Sequence, residues 1–356
     1  MRVHAALFVC AAAAAAAAYF FLPGFFAVSY VGPAAPVALE EPVPEAQQSA
    51  HMARPEPLKG IYMSQCVSGT PSFRESLVEL VDTTELNAIV IDIRDYTGKI
   101  SFTTDNPALA DMVSDACGAR DMRTFIERLH GKGIYVVGRV TIFQNPYWSK
   151  LHPEDAVQNI NGGVWHDRKG LAFVDVGATP YWDSVVELAK ESYAIGFDEI
   201  NFDYIRYPSD GPMAEANYTW SEGKSKQTKL EEFYKYVADN LTDIRSAHAG
   251  QPGMVLSADL FGYVTVHHDD LGIGQVLERA LPYFDYVYPM VYPSHYNKGF
   301  AGLADPNSDV YAVVYESLVG AAARERATTT EHASLAYSPI ASTSPELYQK
   351  PDYRGK

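Results

Sequence analysis

The stretch Gly196-Phe-Asp-Glu-Ile-Asn-Phe-Asp-Tyr-Ile-Arg-Tyr-Pro208 constrains the fold more than any other part of the chain. With a period of two, Ile200 and Phe202 share one face while Glu199, Asn201 and Asp203 share the other. That is the pattern of a strand between a helix layer and a polar lumen. Asp203 is the last regular residue before a loop closed by Pro208, and a carboxylate at the C-terminal end of a parallel strand points into the mouth where β/α barrels do their chemistry. The same residue also fits an N-cap or an ion pair with Arg206, and spacing alone leaves these readings open.

From residue 59 onward, short apolar strands alternate with amphipathic helical patterns, the rhythm of a parallel α/β architecture. Strands are expected at 60–64, 87–95, 134–143, the opening stretch, 254–261 and 285–292, with helices at 71–81, 121–131, 180–195, 224–248, 273–281 and 311–323. By alternation, Ile89, Ile91 and Ile93 face the helices, whereas Asp92, Arg94, Arg139 and Thr141 face inward. Ser257 and Asp259 share a face of the fifth strand, and Tyr288, Met290 and Tyr292 a face of the sixth. The insertion 144–179, which carries Trp148, Trp165 and His166, is long for a compact domain, and loops of that length are usually functional. The fold class expected is an α/β (β/α)8 TIM-type barrel without recognisable strands seven and eight, because 324–356 holds at most one weak strand near 334–340.

The N-terminal flank reads as an export segment. Arg2 precedes an unbroken apolar run from Ala5 to Leu22, which is longer than a signal-peptide core and close to a membrane span. A membrane anchor with the remainder outside is therefore expected, with a cleaved, secreted form as the alternative. Residues 32–57 are rich in Pro, Ala and Glu and read as an extended tether. The organisation expected is thus an anchor at 1–31, a linker at 32–57, a barrel at 58–323 and an atypical tail at 324–356. Lys plus Arg number 28 against 44 Asp plus Glu, a net charge of −16, which argues against a nucleic-acid partner. Cys66 and Cys117 could pair in an oxidising compartment, but two free thiols are the expected state.

Five segments in barrel order, Lys59-Gly-Ile-Tyr62, Val90-Ile-Asp-Ile-Arg94 with Thr97-Gly98, the opening stretch, Ser257-Ala-Asp-Leu-Phe-Gly262 and Pro289-Met-Val-Tyr-Pro-Ser-His295, resemble a bacterial family known as "Putative glycosyl hydrolase domain", or domain of unknown function 4015. The resemblance covers residues 58 to about 320. It implies an α-amylase-type (β/α)8 barrel with a glycosidase site at the strand ends. After residue 323 the sequence departs from the family, where a strand with an Arg-Pro-Trp-Leu-Gln-like motif and a Trp-rich closing strand are expected.

Glycoside cleavage needs one carboxyl group to protonate the leaving oxygen and another to attack the anomeric carbon or activate water. Asp203 and Asp259 are the expected catalytic pair. Neighbouring strands lie about 4.8 Å apart, so carboxylates at adjacent strand ends can reach the roughly 5 to 5.5 Å of a retaining enzyme. The amylase-type resemblance implies Asp203 as nucleophile and Asp259 as acid/base. Asp92 is a third inward carboxylate, and Arg94, Arg139 and Arg206 either position the acids, hold a charged sugar group or form an internal ion-pair lattice. Tyr204, Trp148, Trp165, Tyr288, Tyr292 and His295 are expected to contact sugar rings through their aromatic bodies, although core packing explains Tyr288 nearly as well.

No metal or cofactor is assigned. His267-His-Asp-Asp270 lacks ligand spacing, and Asp305-Pro-Asn-Ser-Asp309 has Val310 where a calcium loop needs Gly. No phosphate loop, H-E-x-x-H or G-x-S-x-G occurs in the chain. The expected function is hydrolysis of an extracytoplasmic polysaccharide or oligosaccharide. A noncatalytic glycan-binding barrel and a truncated, nonfunctional hydrolase are the alternatives.

Overall fold

The computed structural model describes residues 50–246 and 251–331. Six parallel strands form one sheet in which each strand pairs with the next in chain order: β1 (Gly60–Met63), β2 (Ala88–Arg94), β3 (Tyr135–Thr141), β4 (Glu199–Asp203), β5 (Val255–Phe261) and β6 (Tyr286–Met290). The outer face is covered by α1 (Pro71–Asp82), α2 (Met122–His130), α3 (Thr179–Ala194) and α4 (Lys226–Asn240), and α5 (Val310–Glu331) follows β6. This is the wall of a half-barrel, and no seventh strand joins it among the described residues. The expected anchor at 1–31 and the weak strand near 334–340 lie outside the described residues.

The two-residue alternation is realised. Ile89, Ile91, Ile93, Ile200 and Phe202 are fully buried and pack in the hydrophobic core under the helices. Gly138 on β3 lets that layer close, since a Cβ there would lie 2.2 Å from Ile93 Cδ1 and 2.8 Å from Phe197 Cδ1. Phe202, Phe284, Tyr234, Phe233 and Trp182 continue the layer as a chain of ring contacts with centroids 5.2 to 6.3 Å apart.

Four expectations are corrected. The helix expected at 273–281 is a single turn, Leu277–Ala280, because Leu271, Gly272 and Gly274 all have left-handed backbones, with φ of 52°, 70° and 86°. The helix expected at 224–248 starts at Lys226, capped by the Ser225 hydroxyl, and ends at Asn240, before a separate turn at Thr242–Arg245. Cys66 and Cys117 form a disulfide rather than free thiols. Their loops meet because Gly69 and Gly118 allow close approach; a Cβ on Gly69 would strike the Gly118 carbonyl oxygen at 2.3 Å.

The fourth correction concerns the linker, whose last residues are not an extended tether. Residues 51–54 pack against the N-terminal ends of the strands, with the Met52 amide donating to Asp198 Oδ1 at 2.8 Å. Arg54 lies 3.4 Å from Glu199 Oε2 and over the Tyr286 ring. His51 stacks on Tyr193 with centroids 3.8 Å apart. Composition hid this, because the segment packs largely through ion pairs and ring faces, with Met52 as the apolar residue set against the cluster of Ala88, Tyr135 and Val137.

Candidate active site

The C-terminal ends of β2, β3 and β4 bring Asp92, Arg139 and Asp203 together. β2 pairs with β3 so that Asp92 lies opposite Arg139, and β3 pairs with β4 so that Thr141 lies opposite Asp203. Arg139 bridges the two acids: Nη1 donates to Asp92 Oδ1 at 2.6 Å, while Nε and Nη2 donate to Asp203 Oδ2 at 2.9 and 2.6 Å. Burial works against the Arg139 charge, but the two carboxylates outweigh it and raise its pKa. Asp203 Oδ1 also accepts from the Tyr204 amide at 2.6 Å. Tyr204 reaches that position with φ of 53°, a left-handed backbone that a tyrosine adopts only at a cost.

Burial raises the Asp92 carboxyl above the usual range, against the pull of Arg139 and a hydrogen bond from the Tyr62 hydroxyl. The same bond, with burial as the larger cause, raises the Tyr62 phenol. Tyr62 was missed by the sequence reading although it closes the first of the five segments; its alternation with Ile61 was the available signal.

Asn201 lies opposite Ser257 and Phe202 opposite Ala258, so the same register carries Asp203 and Asp259 to neighbouring positions at the ends of β4 and β5. Asn201 Nδ2 donates to Ser257 Oγ at 3.1 Å and to Asp259 Oδ1 at 3.0 Å, which fixes the second carboxyl group. Asp259 is pushed up to about 8, first by burial and then by the Asp203 charge, with Asn201 and Arg139 opposing. The Tyr292 phenol is raised by burial and by Asp259 and Asp203, in keeping with a position beside the pair.

A cavity of about 610 Å³ opens over Asp203, lined by Arg139, Tyr204, Arg206, Phe261, Tyr263, Met290, Tyr292, His295 and Tyr296. Asp259 is partly exposed but does not line it. A second cavity, of about 360 Å³, lies over Asp92 and is lined by Tyr62, Asp95, Tyr96 and the Cys66 side of the disulfide. Arg139 and Tyr204 line both cavities and so form their shared wall. On the far side α5 supports the larger cavity: Ser317 Oγ donates to the Tyr296 hydroxyl at 2.9 Å, and Arg324 binds Glu278 and the Val264 carbonyl.

Of the expected site residues, Asp203, Arg139, Tyr204, Arg206, Tyr292 and His295 line the larger cavity and Asp92 the smaller one. The ion pair considered between Asp203 and Arg206 is replaced by that with Arg139. Four other expected sugar contacts are corrected.

The β2–β3 pairing slips by one residue between Asp92 and Arg94. Arg94 is consequently fully buried and donates to the Thr141 carbonyl and the Tyr181 hydroxyl at 3.0 and 2.8 Å. Trp148 and Trp165 are buried inside the insertion, their indole N–H groups bound to Asp155 and to the Pro212 carbonyl. Tyr288 sits at the base, donating to Glu199 at 2.7 Å and accepting from Arg54 at 3.2 Å. Among the described residues no group of three His, Cys, Asp or Glu side chains could hold a metal.

Residues 60–337 match the family described as "Putative glycosyl hydrolase domain". The chain belongs to that family. The match runs past the limit near 320 expected from the five segments. Among solved structures, a hypothetical protein from Ruminiclostridium thermocellum is 31% identical over 60% of this chain and 98% of its own, with a TM-score of 0.49. An alpha-galactosidase from Thermus thermophilus is 12% identical over 78% of this chain and 52% of its own, with a TM-score of 0.44. A trehalose-6-phosphate hydrolase from Bacillus licheniformis is 12% identical over 80% of this chain and 56% of its own, with a TM-score of 0.45. The chain thus spans about half the length of the latter two. No protein of curated function matches it.

Proposed function

We propose that the protein is a glycoside hydrolase that cleaves a polysaccharide with retention of configuration, Asp203 acting as nucleophile and Asp259 as acid/base. The observation that carries this reading is the pairing of two carboxyl groups in unlike environments at adjacent strand ends. Asp203 receives three N–H donors from Arg139 and Tyr204, whereas Asp259 is held up to about 8 by burial and by Asp203. A carboxyl group raised in this way beside a neighbour fixed by N–H donors is the one suited to carry the proton.

Protonated Asp259 gives its proton to the leaving glycosidic oxygen as an Asp203 oxygen attacks the anomeric carbon and the C–O bond breaks. Asp259, now a carboxylate, takes a proton from water as that water attacks the glycosyl ester and frees Asp203. The adjacent register of Asp203 and Asp259, at a strand spacing of about 4.8 Å, supports the retaining course. Cavities on both sides of the Arg139–Tyr204 wall support cleavage inside a chain rather than at its end. The Cys66–Cys117 disulfide supports a location in an oxidising, extracytoplasmic compartment, to which the apolar run 5–22 would anchor the chain.

The test is a screen of neutral and acidic polysaccharides for new reducing ends, with Asp203→Asn as control. Wild-type protein is expected to shorten one of them from within, and Asp203→Asn to bind the same glycan with turnover reduced by roughly three orders of magnitude or more. Proton NMR of the first product reads its anomeric configuration. Saturable binding with no reducing-end release by wild type would instead favour a noncatalytic glycan-binding barrel. Recovery of the full chain in the soluble cytoplasm would defeat the location.

A further inference from the structure

Arg206 differs from the other well-buried arginines of the domain. Arg54, Arg74, Arg139 and Arg324 each have a carboxylate within ion-pair distance, and Arg94 is spent on a carbonyl and a phenol. Arg206 has no carboxylate partner among the described residues, in a chain with 44 acids against 28 Lys plus Arg.

Its plane is nevertheless held firmly. The guanidinium carbon lies 4.9 Å from the Tyr204 ring centroid and 5.0 Å from that of Phe261. Nη1 donates to the Tyr207 carbonyl at 3.0 Å and to Ser209 Oγ at 3.3 Å. These bonds use one nitrogen and, among the described residues, leave the Nε and Nη2 donors without a protein acceptor, on a side chain that lines the 610 Å³ cavity together with Asp203 and His295. Burial lowers the Arg206 pKa and outweighs the opposing pull of Tyr204, Asp203, Asp210 and Asp167, so an arriving anion relieves a cost that these groups leave standing.

We propose that Arg206 holds an acidic substituent of the sugar, and that the glycan taken by this site carries carboxylates, as a uronic-acid polymer does. A planar guanidinium edge with two parallel N–H donors matches a carboxylate in a bidentate pair. The two rings that fix the plane set the direction from which that group is met. Asp203 lies in the same cavity wall and would repel a carboxylate placed against it, so the acidic substituent is met on the Arg206 side of the cavity.

The inference rests on the glycosidase reading for the identity of the ligand as a sugar, but its test needs no turnover. Equilibrium binding to the full chain, kept in a detergent without sugar groups, is measured by saturation-transfer NMR. The probes are D-glucuronate, D-galacturonate, D-glucose, D-galactose, glucose 6-sulfate and glucose 6-phosphate at matched ionic strength. At least one uronate is expected to bind about tenfold tighter than its neutral parent. Arg206→Gln should abolish that preference, and Arg206→Lys, which keeps the charge and loses the fork, should retain only part of it.

Equal binding of uronates and neutral sugars by wild type, or no saturable uronate binding at millimolar concentration, overturns the proposal whether or not the variants fold. A preference for the sulfated or phosphorylated sugar overturns the carboxylate assignment. A hydrolysis screen that fails while uronate binding still depends on Arg206 would remove the catalytic reading and leave this one standing.

Discussion

Replacing Arg139 with methionine tests the central lattice directly. The side chains of Arg139, Asp92 and Asp203 are 19%, 2% and 7% exposed, so the bridge is largely shielded from water. At an effective dielectric of about 20 and a separation of about 4 Å, each pair is worth roughly 4 kcal/mol before desolvation is counted. Desolvation cancels much of this. The relevant figure is the cost of removing one partner from a buried ion pair, about 3 to 5 kcal/mol, because two carboxylates are left facing each other.

Each acid keeps one donor, the Tyr62 hydroxyl for Asp92 and the Tyr204 amide for Asp203, which favours the lower half of that range. For a domain of this size the loss corresponds to a fall in melting temperature of roughly 10 °C.

The pH dependence gives the sharper check. The Asp92 carboxyl is already raised in the folded protein, and a folded-state acid with a raised pKa destabilises above that pKa and less so as pH falls. Arg139→Met removes the one cation that opposes this, so its deficit should be large at pH 8 and shrink towards pH 5. Adding Asp92→Asn should recover about half of the loss. Thermal melts of the full chain across this range decide the matter. A deficit under about 1 kcal/mol, or one constant with pH, would show that the bridge does not hold these acids together.

Two further outcomes follow from the same geometry. Since Asp259 is held up to about 8 and a general acid works in its protonated form, activity on glycans with poor leaving groups should fall as pH rises through about 8. In Asp259→Asn that limb should disappear, and activated aryl glycosides should be far less affected; an unchanged limb would assign it elsewhere. Cys66→Ser should lower stability by up to about 4 kcal/mol, given the separation of 51 residues between the bonded cysteines. Melts of wild type with and without reductant should reproduce that loss, and no difference would mean that the two loops pack without the bond.

What the sequence revealed and what it hid divide along a physical line. Asp92, Arg139, Asn201 and Asp203 were legible because each follows the alternation of a strand buried on its helix side, where a one-residue slip would bury a charge. Arg94 breaks the rule at the place where the pairing itself slips, and nothing in Val90-Ile-Asp-Ile-Arg94 announces a bulge. Tyr288 obeys the alternation but lies at the base, because alternation gives the face of a strand and not the height of a residue along it. Trp148 and Trp165 were read as contacts because they lie in a long insertion, yet this insertion packs into the main hydrophobic core, with Trp165 fully buried. The disulfide depends on two loops meeting after different strands, which spacing does not encode.

The left-handed backbone at Tyr204 bears on how this protein can be engineered. An isolated tyrosine avoids φ of 53° by roughly 1 to 2 kcal/mol, and glycine or asparagine would relieve that strain. Selection for heat resistance alone would therefore find position 204 an easy gain. The same exchange would remove the ring shared by both cavities and stacked on Arg206. A stabilised variant with Gly or Asn at 204 should survive boiling better than it handles glycans, so libraries built for robustness do best to hold that one tyrosine constant.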